Sequence, residues 1–403
     1  MIIPSHRTEN ITYAVRDIVL LADEAARQGK DMLYLNIGDP NKFDFQTAPH
    51  IVDAVSRAMR ENYNGYAPSS GIEEGRRAII DCGRRKGIDS IQDVFITTGA
   101  SEAIDICLTA LVNPGENVLI PSPGYPLYSA IINKLSAEPR PYYLNEDDNW
   151  QPDLSDIAAR IDEKTRAIVI INPNNPTGAV YREEVLRGIV DLALERDLVI
   201  FSDEIYDNLI LDDIPHLSTA SLSADLPVIT FNGLSKNYLA PGFRIGWGIV
   251  SGPEDPLRYY VEAINKLLRA RLCANHPIQW AIKVALEGEQ DQLIETREKL
   301  GRRRDITVEM LNAIDGITCV RPEGAFYAFP RLHIEGSDDE FVRELIRETG
   351  VVVVPGSGFG ERPSTKHFRV VYLAPEEVLE EAYRRIGNFI KTLKIKDVEK
   401  KER

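Results

Sequence analysis

The sequence predicts an α/β protein: a large unit with a parallel sheet between helices, and a smaller α+β unit. Three observations carry this expectation. The 403 residues exceed the length at which one hydrophobic core usually stops growing, so two units are expected. From about residue 90 to 250, short apolar runs alternate with longer amphipathic stretches. After a helical region spanning roughly 256 to 315, the pattern changes to strand pairs and helices.

Taken in chain order, "IVLLA" (18–22) follows Arg16 and Asp17, and the spacing of Ile11, Val15, Ile18 and Ala22 predicts an amphipathic helix ended by Gly29. The run is too short for a leader or a membrane span, so a cytoplasmic protein is expected. "VFIT" (94–97), "NVLIP" (117–121), "AIVIIN" (167–172), "LVIFSD" (198–203) and "PVITFN" (227–232) read as strands. Between them lie helix-period segments such as 182–196, where Val185, Ile189, Leu192 and Ala193 share a face. Strands apolar on both faces and separated by helices mean a parallel sheet with helices on its two sides. "ITCVRP", "GAFYAFP", "VVVVP" and "HFRVVYL" then read as strands, with a closing helix from Pro375. The large unit is assigned to 46–295, and the small one to 296–403 joined by 1–45. The tail "KIKDVEKKER" reads as frayed exposed helix or disorder.

Composition narrows the function. Lys+Arg 47 against Asp+Glu 62 gives a net charge of −15, which repels phosphate backbones and anionic membranes. The densest basic run, "GRRRD" (301–305), reads as a solvated helix face, so neither nucleic acid nor membrane is an expected partner. Cys82, Cys107, Cys273 and Cys319 form no CxxC pair and read as buried structural thiols. The six histidines show no metal-ligand spacing, and no metal is expected.

In a parallel sheet, ligands bind beyond the carboxyl ends of the strands, so the residues there carry the chemistry. "TTGASEAI" places Gly99, Ala100 and Ser101 at a helix start, which suits either a phosphate or a plain serine cap. "SDEIY" puts Asp203 at the end of a buried strand, where a carboxylate needs a cationic ligand group or local donors. "NGLSK" adds Lys236 on a turn flanked by Leu234, Tyr238, Leu239 and Phe243, an enclosed place for an amine.

The ordered set "NPNNPTG", "SDEIY", "SKNYLAPGFRIGW" and "FRVV" resembles the fold-type I pyridoxal phosphate (PLP) enzymes of the aspartate aminotransferase superfamily, over essentially the whole chain. "LNIGDP", "NGLSK", "RLCANHP", "PEGAFYAFP" and "FRVVYL" look most like the alanine aminotransferase branch. The resemblance implies a mostly parallel seven-stranded sheet in the large domain. It implies that Lys236 forms an imine with the PLP aldehyde and then moves the substrate Cα proton. It pairs Asp203 with the pyridine nitrogen, and Asn175 and Tyr206 with the ring's phenolic oxygen. Tyr125 would stack on the cofactor face; an aromatic core position is its plain alternative. Ala100, Ser101, Ser235 and Arg244 would hold the phosphate, with Tyr66 reaching in from the neighbouring subunit of a homodimer. Many relatives carry a serine three residues before the lysine where this chain has Gly233, which puts one phosphate donor in doubt. Arg369 would clamp the substrate α-carboxylate beside Gly38, where a side chain would obstruct.

Two other classes have weaker support. "VVVVPGSGFG" (351–360) suggests a dinucleotide loop, but an apparent strand follows where a helix is needed. A transcription regulator with an aminotransferase-like sensor needs a DNA-binding module, and the pattern begins within the first forty residues. The expected reaction is transfer of the amino group from L-alanine to 2-oxoglutarate by a ping-pong cycle. Transamination of other specificity (aspartate, aromatic or broad range) and a PLP-dependent β-lyase are the alternatives.

Overall fold

The computed structural model describes residues 2–9, 11 and 14–401, leaving out the side chains of 14–17 and 394–401. One sheet organises the large unit. Its strands are β1 (Ile91–Thr97), β2 (Asn117–Ser122), β3 (Glu138–Asn145), β4 (Gln151–Pro152), β5 (Thr165–Ile171), β6 (Val199–Asp203), β7 (Val228–Gly233) and β8 (Gly246–Ser251). They lie in the order β1-β8-β7-β6-β5-β2-β3-β4. Pairings from β7 through β6, β5 and β2 to β3 are parallel, while β8 runs antiparallel to both β1 and β7. Every strand except β8 and β4 therefore points one way, and their carboxyl ends share one edge. Seven strands form the body of the sheet. The eighth, β4, is a two-residue addition that pairs antiparallel with the end of β3.

Alternation along the central strands explains why the sheet is covered on both faces. In β5, Ile168 and Ile170 enter one apolar core, whereas Ala167, Val169 and Ile171 enter the core on the opposite face. All are buried, and each Ile or Val side chain so placed contributes about 1.5–3 kcal/mol. Two of the seven long strands escape the sequence reading for opposite reasons. β3 contains Pro139 and Pro141, which a near-edge strand tolerates. β8 carries glycines because a Cβ at Gly248 would lie 2.4 Å from the Phe95 ring of β1.

Both termini contribute to the small unit. Leu33–Tyr34 pairs parallel with Val351–Val352, and Phe368–Val371 lies antiparallel between Tyr327–Ala328 and Val354–Pro355. Apart from Val354, which joins a core of the large unit, these strands share a third core with helices Ala14–Arg27, Asp338–Thr349 and Glu376–Lys401. The expected 295/296 boundary falls inside the continuous helix Asp291–Asn312. "VVVVPGSGFG" is two short strands and a single 3-10 turn, followed by strand Phe368–Val371.

Four local expectations change. Helix Ala14–Arg27 starts after Ile11, which is exposed, while Ile18 and Ala22 are buried as expected; the side chain of Val15 lies outside the described residues. The "GRRRD" run is not a solvated face: Arg303 and Arg304 are buried and pair with Asp44 and Asp212, each at 2.8 Å. Residue type reports the charge, but the partners lie more than 90 positions away. Leu192 is only half-buried, at the margin of its helix face. Cys107 and Cys319 are buried free thiols, but Cys82 and Cys273 are half-buried. Residues 402 and 403, and the side chains of the tail, lie outside the described residues. Among the described residues no helix is long and apolar enough to cross a membrane.

Candidate functional site

The shared edge of strand ends opens into a cavity of about 290 Å³. Its lining includes Gly38, Ala100, Ser101, Tyr125, Asn175, Asp203, Tyr206, Ser235, Lys236, Arg244 and Arg369, every residue expected there except Tyr66. Tyr66 is 82% exposed, on a loop outside this cavity.

Lys236 follows the end of β7, and its Nζ donates to the Gly38 carbonyl at 2.8 Å. Burial, reinforced by the positive charges of Arg369 and Arg244 and opposed by Asp39, pulls the ammonium down to about 8. The amine is thus far easier to deprotonate than a lysine in water. Across the cavity, Asp203 accepts from the Tyr128 hydroxyl at 3.0 Å and from the Ile205 N–H at 3.3 Å. Burial is the main cause that pushes its carboxyl up to about 6; Glu204 adds to the rise, and the two donors oppose it. Such a carboxylate lacks a full positive partner.

Arg369 enters from strand Phe368–Val371. Its Nη1 donates to Asn175 Oδ1 at 3.1 Å and its Nη2 to the Asn36 carbonyl at 2.8 Å. The guanidinium lies between the Tyr327 and Phe359 rings, 4.8 and 4.6 Å from their centroids, and its buried Nε has no protein partner. Tyr206 and Tyr327 join hydroxyl to hydroxyl at 2.9 Å. Gly38 is needed at this point, although the group it protects is protein: a Cβ there would sit 2.5 Å from the Tyr327 hydroxyl. Tyr125 is half-buried at the cavity wall and also packs against the core on one face of the sheet.

At the other end, helix Ala100–Leu111 begins after Gly99, which has φ +81°. A Cβ at Gly99 would lie 2.2 Å from an Arg244 nitrogen, and one at Gly246 would lie 2.1 Å from the Ala100 nitrogen. The bare glycines bring Arg244 and the start of β8 against free N–H groups of the helix. Ser101 makes no capping bond; Glu102 instead accepts from the Thr98 N–H at 2.7 Å. This leaves a hydroxyl, helix N–H groups and a guanidinium around one space, a fitting cradle for a phosphate. A serine at position 233 does not fit here, because a Cβ would lie 2.7 Å from the Ile245 carbonyl oxygen.

Sequence reasoning missed Asn36, Tyr128, Tyr327 and Phe359. Tyr128 stood three residues beyond Tyr125 at a helix start, and Tyr327 lay inside the noted "PEGAFYAFP". Asn36 lay inside the noted "LNIGDP" and Phe359 inside "VVVVPGSGFG", but nothing local tied either to Arg369. Behind the site, Glu204, Asp207 and His216 bring possible ligand atoms within 4.8 Å of one another, but the Lys86 ammonium already pairs with Asp207.

A buried carboxylate, an enclosed lysine, a helix start suited to a phosphate and a buried arginine thus share one cavity. The chain belongs to the aminotransferases of class I and II, whose family model matches residues 30–386. It is an aminotransferase that depends on PLP. The glutamate-pyruvate aminotransferase AlaA of Haemophilus influenzae is 41% identical over 397 residues, covering 96% of this chain and 97% of that protein. The alanine aminotransferase of Mycobacterium bovis is 40% identical over 400 residues, covering 96% and 92%. The solved alanine aminotransferase from Pyrococcus furiosus superposes with a TM-score of 0.94 at 42% identity, covering 97% of this chain and all of that one.

Proposed function

We propose that the enzyme transfers the amino group of L-alanine to 2-oxoglutarate, giving pyruvate and L-glutamate in two half-reactions. The names of its relatives support the substrate pair. The residues that would carry the chemistry follow from one observation: Lys236, Asp203 and Arg369 all line the cavity at the strand ends.

PLP fits these residues: the cradle matches its phosphate, Asp203 its ring nitrogen, and Lys236 its aldehyde. When bound, it supplies the carbonyl that takes up the amino group and a ring that draws electrons from Cα. Arg369, assisted by Asn175, receives the substrate carboxylate and so orients the Cα–H bond. Lys236 as the free amine would take the Cα proton and deliver it to the carbon that entered as the cofactor's aldehyde; its lowered affinity for protons suits that task near neutral pH. Asp203 would stay ionised against a protonated ring nitrogen, a pairing its burial would strengthen. Asn175 and Tyr206 would hold the phenolic oxygen, and Tyr125 would cover the ring. Ala100, Ser101, Ser235 and Arg244 would hold the phosphate, with Tyr66 of a second copy completing it. In this reading the protein is a cytoplasmic homodimer, divided into 46–295 and a small domain of 1–45 with 296–403.

Single-turnover mixing of the holoenzyme with L-alanine tests the proposal. The visible absorption should convert to the amino form of the cofactor with release of one pyruvate, and 2-oxoglutarate should restore it. Conversion by aspartate or aromatic donors but not alanine overturns the substrate assignment. Release of pyruvate, ammonia and sulfide from L-cysteine, which carries a β-leaving group, with no conversion by alanine, marks a β-lyase. Lys236→Ala should abolish turnover.

A further inference from the structure

Two residues before Arg369, His367 is buried to 1% of its side chain and makes two carboxylate contacts. Its Nδ1 lies 2.7 Å from Glu361 Oε2 and its Nε2 lies 3.3 Å from Glu146 Oε2, while Arg331 reaches the same Glu146 oxygen at 3.2 Å. A neutral imidazole has one N–H; donating to two carboxylates requires two. The partners come from different parts of the fold. Glu146 stands on the β3–β4 connection in the large unit, Arg331 faces His367 across a strand bridge, and Glu361 follows the Gly356–Phe359 turn.

That turn carries Phe359, whose ring packs 4.6 Å from the Arg369 guanidinium. Phe329 connects the two: it stacks on His367 at 4.7 Å with planes 5° apart and meets Phe359 edge-on at 6.1 Å. Further contacts pin the turn. The Gly356 N–H donates to the His367 carbonyl at 2.8 Å, the Gly124 N–H to the Phe359 carbonyl at 2.8 Å, and Ser122 bonds the Gly360 carbonyl. A Cβ at Gly356 would lie 2.7 Å from the His367 Cβ, so the approach needs a glycine.

We propose that His367 is a positioning residue for the substrate carboxylate: bridged to Glu146 and Glu361, it holds the Phe359 turn of the small unit against the large one and thereby sets the Arg369 clamp. The charged groups facing it are Glu146, Glu361, Asp147, Arg331 and Arg362 around an adjoining cavity of about 180 Å³, and Asp338 nearby. Burial opposes its charge, but the bonds to Glu146 and Glu361 hold the imidazolium above its ordinary range. The bridge is complete while His367 is charged and both carboxylates are ionised: it is lost as pH rises through the raised imidazolium value, and it weakens in acid, where burial has lifted the Glu361 carboxyl above the usual carboxylate range.

The proposal rests on Arg369 as carboxylate receiver, so the experiment tests both. The KM for the 2-oxo acid, which has no amine of its own to titrate, is measured against pH for the parent, His367→Gln, Phe359→Leu, their double variant and Arg369→Lys. Binding of succinate to each holoenzyme is measured by calorimetry. His367→Gln should raise KM and the succinate dissociation constant about five- to tenfold, with kcat within about twofold. The cofactor's absorption band should stay in place, and the pH dependence of KM seen in the parent should disappear. The double variant should be no worse than the poorer single one, because both act through one turn. Equal loss in kcat, KM and band position, or effects that multiply, would overturn the role of His367. If Arg369→Lys leaves KM and succinate binding unchanged, the clamp reading itself fails. If it raises both while His367→Gln raises neither, only the positioning role fails.

Discussion

Asp203 shows how burial and function meet in one side chain. In the cofactor-free protein its carboxyl holds a proton up to about pH 6, whereas in the unfolded chain it releases it near pH 4. The folded state then binds more protons than the unfolded state between those values, so stability falls as pH rises from about 4 to 6, by up to about 3 kcal/mol. Urea unfolding of the cofactor-free protein across that range should show the slope, and Asp203→Asn should remove it. The Tyr128 hydroxyl opposes the rise by stabilising the carboxylate. Tyr128→Phe should therefore push Asp203 further up and lower kcat about tenfold, a loss of about 1.4 kcal/mol readable in steady-state kinetics. An unchanged kcat in this variant would disconnect Asp203 from the chemistry.

Between elements, the phosphate cradle depends on how closely β8 approaches helix Ala100–Leu111. A methyl group at 246 would lie 2.1 Å from the Ala100 nitrogen, and the contact is with backbone, which cannot swing aside. Gly246→Ala should cost about 1–3 kcal/mol of stability by overpacking and loosen the cofactor, measured as its loss on dialysis. A control comes from a helix remote from this cradle. Ser337 and Glu340 form a reciprocal cap on helix Asp338–Thr349. Ser337→Ala should destabilise by about 1 kcal/mol in thermal unfolding and leave cofactor retention untouched.

For the whole molecule, the cavity as one chain builds it has no contribution from Tyr66, which is exposed to 82%. If the homodimer reading holds, light scattering should return twice 45.2 kDa, and Tyr66→Phe should weaken cofactor retention without changing thermal stability. A monomer with full activity would refute the shared site. The chain carries a net charge of −15, yet the cavity holds the buried Arg369 guanidinium, so an anionic substrate meets a positive group inside an acidic protein. Its capture should weaken as ionic strength rises, visible as a KM that increases with salt.

Much of this protein was legible in its residues. Alternating apolar runs and amphipathic stretches determined a helix-covered parallel sheet, because side-chain periodicity follows directly from backbone geometry. Strand-end punctuation pointed to Lys236 and Asp203, and the family resemblance to Asn175; the fold brings all three to one cavity, since such sheets open where their strands stop. Proline-bearing β3 and glycine-bearing β8 stayed hidden because their residues suit contacts with neighbours and not the strand as such. Only the tertiary structure decided that Tyr128 restrains Asp203, that Tyr327 and Phe359 enclose Arg369, that Arg303 and Arg304 turn inward, and that His367 ties two units together. Each of these depends on a partner far away in sequence. Local pattern records which face a residue shows to the core, while the identity of what it meets there is set by how the elements pack.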